Sequence, residues 1–140
     1  MGYKDEADFL KSLTRPAPFY SGPAEPVFWS YVMERTSRAP EAMQLAGYKG
    51  LEPLGSYLWQ FQRVKLSAVD VRNHWGISLM AGSIEARRVQ EIIDEIKNTG
   101  RYYPPIVGPN LEVLDGMHTM VALHQLYGPG FKIYLWRALG

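Results

Sequence analysis

Val113-Leu114-Asp115-Gly116-Met117-His118-Thr119 passes from an apolar strand end through a glycine turn into the start of a helix within seven residues. The N-terminus of a helix presents N–H groups without intrahelical partners, together with the positive end of the macrodipole, and a glycine there lets an anion approach the backbone closely. Phosphate is the anion such a corner suits. His118 and Thr119 would add side-chain donors beside the amides of Gly116 and Met117, and Asp115 has the chemistry to hold a magnesium ion or take a proton. The same residues also read as an ordinary Asp-Gly turn whose threonine satisfies first-turn donors, so spacing alone leaves both readings open.

Outward from this corner, the second half reads as a succession of short elements. Upstream, a helix over residues 83–98 is opened by Ser83 as N-cap, with Glu85 favouring its positive end. Val89, Ile92, Ile93 and Ile96 form one apolar stripe on it, Glu91, Glu95 and Lys97 face water, and Gly100 stops it. Pro104-Pro105-Ile106-Val107 predicts a short strand at a sheet edge, where prolines are tolerated, and residues 111–114 form the next strand after the Gly108-Pro109-Asn110 turn. A helix over residues 117–127 ends at Gly128-Pro129-Gly130, and residues 131–136 close as a strand.

The first half is cut up by Pro16, Pro18, Pro23, Pro26, Pro40 and Pro53. Its pattern predicts a short helix over residues 5–13, a connector through Gly22, and a second helix over residues 25–36 with Val27, Phe28, Tyr31 and Val32 on one face. Helix fragments and turns follow over residues 39–55. Tyr57, Trp59 and Phe61 alternate as in a half-buried strand, and Val64 and Leu66 resume the alternation in the opposite phase within a strand over residues 64–71. That change of phase predicts a bulge or bend near Arg63.

Composition narrows the function classes. The chain has 140 residues, 46% hydrophobic and 21% charged, enough apolar surface for one folded core. A net charge of +1 argues against a protein that wraps nucleic acid through a global basic field, while leaving room for a local patch. The absence of cysteine excludes disulfide scaffolds, thiolate zinc sites and cysteine nucleophiles. No run approaches the roughly 20 apolar residues that span a bilayer, and residues 1–10 carry acids where a signal peptide has bases, so a cytoplasmic protein without a membrane partner is expected. His118 and His124 are six residues apart, on different faces of their helix, which disfavours a two-histidine metal site. Aromatic residues including Trp59, Phe61, Tyr134 and Trp136 interleave with Arg63, Lys65, Arg101 and Arg137; core packing is the plain account of the rings, and base stacking the functional one.

Taken in order, Ser83-Ile84 at a helix start, Gly100 with Pro104 to Val107, and Asp115-Gly116-Met117-His118 with Ala122 resemble the ParB/sulfiredoxin-like family. Its members read as a Ser-Ile helix start, a G-x-x-x-P-P-I-V passage into a strand, and a hydrophobic-Asp/Ala-Gly-x-His/Arg-Arg turn into an alanine-containing helix. The resemblance covers roughly residues 64–136. It implies an α+β fold: a small mixed-sheet domain over residues 63–140, preceded by a helical, Pro-rich extension over residues 1–62.

The resemblance further implies that the Gly-x-His helix start holds the phosphates of a nucleotide, with ATP or CTP and Mg2+ as expected cofactors. Gly116, Met117, His118 and Thr119 are then phosphate ligands, Arg87 and Arg88 converge on them, Asp115 holds the metal, and Asp115 and His118 are the catalytic pair for nucleotide hydrolysis or phosphoryl transfer. Tyr102, Tyr103 and His74 are candidate contacts to a base or partner. Two positions depart from the pattern: Thr119 stands where an arginine fork commonly follows, and Met117 where sulfiredoxins place their reactive cysteine, so sulfiredoxin chemistry is excluded. Loss of the arginine supports an alternative, a non-catalytic protein- or DNA-binding module on the same fold, of the kind a phage or plasmid encodes, holding its partner through residues 1–62. Metal-dependent nuclease activity ranks lower, because Glu112 and Asp115 fall on opposite sides of a regular strand.

Overall fold

The computed structural model describes residues 16–35, 54–69 and 84–140. The elements follow in the order β1 (Ala17–Pro18), β2 (Val27–Phe28), α1 (Trp29–Met33), β3 (Leu58–Lys65), α2 (Ile84–Thr99), β4 (Arg101–Tyr102), β5 (Ile106–Val107), β6 (Val113–Asp115), α3 (Met117–Tyr127) and β7 (Lys132–Leu139), with 3-10 turns at Leu54–Ser56 and Leu66–Ala68. The helix expected over residues 5–13, residues 39–53 of the fragments expected over residues 39–55, and His74 and Ser83 lie outside the described residues.

The fold is mixed α+β. Five strands form one sheet in the order β2-β3-β7-β5-β6, and β1 pairs separately with β4 in parallel. Within the large sheet, β7 runs parallel to β5 and every other neighbouring pair is antiparallel. Its spine is the β3–β7 pair, in register without interruption from Leu58 opposite Leu139 to Lys65 opposite Lys132.

That unbroken register corrects the bulge expected near Arg63. The alternation changes phase because both faces of the sheet are covered by different partners. Trp59 on β3, Ile106 on β5, Leu114 on β6, and Trp136 and Ala138 on β7 pack with Trp29 and Val32 of α1, and with the half-buried Phe61. The opposite face packs Leu66, Val107, Val113, Ile133 and Leu135, with the half-buried Val64, against Val89, Ile93 and Ile96 of α2 and Met120 to Leu123 of α3. Successive residues of a strand point to opposite faces, so one regular strand can serve two cores in turn.

Three further expectations change. The predicted helix over residues 25–36 shrinks to Trp29–Met33, because Val27 and Phe28 are extended and pair with Trp59 and Leu58. Pro104-Pro105-Ile106-Val107 does not lie at a sheet edge: β5 is flanked by β7 and β6. The prolines are tolerated there because they precede the strand and need only accept, and the Pro105 carbonyl receives the Trp136 N–H at 2.9 Å. Strand β6 starts at Val113 rather than residue 111, since Leu111 takes a positive φ of 64° in the preceding turn. Arg137 fastens that turn by donating from Nε and Nη2 to the Pro109 carbonyl at 3.0 and 2.5 Å, and so is committed to structure.

The helices follow their sequence signals closely. Val89, Ile93 and Ile96 are buried on α2, whereas α3 ends at Gly128 with φ 88°. Residues 16–35 belong to the same packing: a Cβ added at Gly22 would meet the indole of Trp136, so the connector crosses the sheet face in close contact. Strand β3 runs through the boundary between residues 62 and 63.

Candidate functional site

The strand-turn-helix corner forms as the sequence requires. Asp115 ends β6 opposite Ile106 of β5, Gly116 occupies the N-cap with φ 95° and ψ 18°, and α3 begins at Met117. Gly116 answers two demands together: a left-handed backbone, and passage so close to Pro105 that an added Cβ would stand 2.9 Å from its Cα. Gly116 has no side chain with which to cap this helix start, and its carbonyl accepts from the Met120 N–H at 3.0 Å, the first bond of the helix. Asp115, Gly116, Met117 and His118 are half-buried, so the corner is open on one side.

Asp115, Gly116, Met117 and His118 are thus brought together, with Asp115 and His118 each already holding an interaction partner. Thr119 is different. It is buried among the apolar residues of α3, which confines its part to the backbone N–H. Glu112 turns away and accepts from the Asn110 N–H at 3.0 Å, stabilising the β5–β6 turn and leaving Asp115 as the carboxylate of the corner. Arg87 and Arg88 are both exposed on α2. At about 100° per residue, Arg87 stands some 160° around the helix from Val89, away from the buried stripe, while Arg88 flanks that stripe.

Tyr102 and Tyr103 part company. Tyr102 is 1% exposed and sits within the core, so a contact to a base at a pocket mouth does not fit its position. Its hydroxyl accepts from the Tyr134 N–H at 2.9 Å. Strand β5 begins only at Ile106, leaving that stretch of β7 without a strand neighbour on its β5 side, and the phenol takes the place of the missing carbonyl. Tyr103 is half-buried and packs on Phe19 and Tyr20 at centroid distances of 4.5 and 6.1 Å, which ties the N-terminal connector to this side of the molecule. Strand β4 ends at Tyr102 and Tyr103 follows outside it, so no alternation within one element marked the two apart in the sequence.

Burial drives the Tyr102 phenol up to about 12, partly offset by the hydrogen bond from Tyr134. The folded state therefore holds this proton where the unfolded chain, near 10, has released it. Stability attached to Tyr102 is complete below pH 10 and is lost as pH rises from about 10 towards 12, by roughly 2 to 3 kcal/mol. Urea unfolding across that window should show the loss. In Tyr102→Phe the Tyr134 N–H is orphaned, which is expected to cost about 1 to 3 kcal/mol at neutral pH and to flatten the alkaline slope. An unchanged slope in the variant would refute this assignment.

A separate cavity of about 210 Å3 opens beside β3 and β7, lined by Pro16, Ala17, Pro18, Arg63, Phe131, Lys132 and Tyr134. Its cations come from strands far apart in the chain, so only pairing brings them together. No helix among the described residues is long and apolar enough to cross a membrane.

No family model matches the sequence, and no curated protein matches it. Among solved structures, a Pnob8-like ParB-N domain is similar at 9% identity, over 57% of this chain and 29% of that one, with a TM-score of 0.42. The chain thus spans under a third of the length of that structure.

Proposed function

We propose that the corner from Asp115 to Thr119 binds a phosphate group of a nucleotide or nucleic acid in a ParB-like domain. The observation that carries the reading is the start of α3 at a glycine N-cap, half-buried and placed directly after a strand bearing a carboxylate. Amides at a helix start and the macrodipole favour an anion there. His118 supplies a side-chain donor on the first turn. Mg2+ typically binds one or two carboxylates together with substrate phosphates and keeps several waters, a requirement that Asp115 can meet with ATP or CTP.

Binding without turnover is the more economical form of this reading. Thr119 replaces the arginine fork and is buried, so the developing charge of phosphoryl transfer would have His118 and backbone dipoles to stabilise it, without a fixed guanidinium. Isothermal titration with ATP, CTP and ADP, with and without magnesium, tests the proposal. At least one nucleotide should bind, and His118→Ala should weaken it by roughly five- to tenfold, the worth of one hydrogen bond. Absence of heat for every nucleotide at millimolar concentration would remove the reading.

A further inference from the structure

The cavity beside β3 and β7 sits on the sheet face opposite α2 and α3. Arg63, Lys65, Lys132 and Tyr134 all project to that face: Arg63 is paired with Tyr134, and Lys65 stands directly across from Lys132. Like charges in direct cross-strand register destabilise a sheet, and Arg63 lies diagonal to the pair. All three cations are exposed, and among the described residues none of them makes an ion pair. Among the described residues, no ion pair offsets that charge.

The walls have a definite character. Arg63 lies 5.7 Å from the Tyr134 ring centre, Phe61 stacks on Tyr134 at 5.2 Å with an interplanar angle of 8°, and Pro16, Pro18 and Phe131 supply flat apolar surface. Arg101 of β4 is in register with the lining residue Ala17. A cavity of about 210 Å3 is smaller than the roughly 300 to 1,000 Å3 of sites that engulf a drug-sized ligand, so it has room for part of a larger molecule passing through. Arg63 and Lys65, two residues apart on one strand face, are about 7 Å apart along the strand. That separation addresses successive charges along a chain rather than a single anion.

We infer that this basic, aromatic-walled groove is a contact site for single-stranded nucleic acid, taking two or three consecutive backbone phosphates on Arg63, Lys65 and Lys132 with a base or sugar against Tyr134 and the prolines. A positively charged groove bordered by rings is the arrangement that binds single strands without sequence preference. The site stands apart from the Gly116 corner, and the two readings succeed or fail separately.

Fluorescence anisotropy with a labelled oligodeoxythymidylate of about a dozen nucleotides tests it on the full chain. Each phosphate neutralised on a single strand contributes about 0.7 to the slope of log affinity against log salt. Three contacts give roughly a 20-fold loss of affinity between about 50 and 200 mM salt, and in Arg63→Gln/Lys132→Gln the loss should shrink to about threefold. Both substitutions are at exposed positions, and Lys65→Glu should weaken binding independently of the cavity wall. Salt dependence identical in the wild type and the double variant would overturn the proposal. So would displacement of the strand by thymidine monophosphate at equal phosphate concentration, which indicates a single-anion site, or equally effective displacement by polyglutamate, which indicates an acidic protein partner.

Discussion

Replacing Trp136 by alanine is expected to lower the unfolding free energy by about 3 to 5 kcal/mol. The indole is fully buried in the middle of β7, where it packs against Phe61 at 4.9 Å and edge-on to Tyr31 at 5.9 Å. Gly22 passes so close that a methyl group there would collide with the ring. The substitution therefore removes the piece that joins the connector, α1 and the sheet, and opens a void bounded by backbone that cannot readily collapse. Trp136 Nε1 is buried with no hydrogen-bond partner among the described residues. Trp136→Phe gives up part of the ring but also removes that orphan donor, so its cost is expected to stay below about 1.5 kcal/mol. Urea unfolding followed by circular dichroism, which does not depend on the lost fluorophore, separates the two. Equal costs for alanine and phenylalanine would show that the ring's volume is not what the site uses.

How much of this was legible in the sequence depended on how local the deciding interaction is. The helices at Ile84–Thr99 and Met117–Tyr127 declared themselves through an apolar stripe and through terminal glycines, both contained within the segment. Val27, Phe28, Tyr31 and Val32 also fit helical spacing, yet the first two are extended, because their partners Trp59 and Leu58 lie some thirty residues downstream. The two-phase alternation of β3 was visible, but its cause was not: nothing in residues 57–66 states that helices cover one face and an N-terminal connector the other. The strand-turn-helix at Gly116 was fully readable, being seven residues long. The position of Tyr102 was not, since its role depends on where β5 fails to reach. Nor was the groove at Arg63, which exists because Lys132 is brought opposite Lys65 from across the chain.

Gly116→Ala should cost about 2 to 5 kcal/mol, a drop in Tm of roughly 7 to 17 °C for a domain of this size. Two effects combine. A left-handed conformation penalises an L-residue by about 1 to 2 kcal/mol, and the φ of 95° lies in that region. The added Cβ would also stand 2.9 Å from Pro105 Cα, in buried backbone that carries the hydrogen bond to Trp136, so relief requires displacement of β5 at about 1 to 3 kcal/mol. Gly116→Asn tells the two apart, because asparagine tolerates the left-handed region while bringing the same Cβ. If the close approach dominates, asparagine will recover no more than about 1 kcal/mol of the alanine cost; near wild-type stability for asparagine would mean that the backbone angle alone demands glycine. The distinction bears on function. A glycine held by Pro105 is required whether or not an anion ever arrives, so loss of nucleotide binding in a Gly116 variant cannot by itself identify the ligand site, and His118→Ala must carry that test.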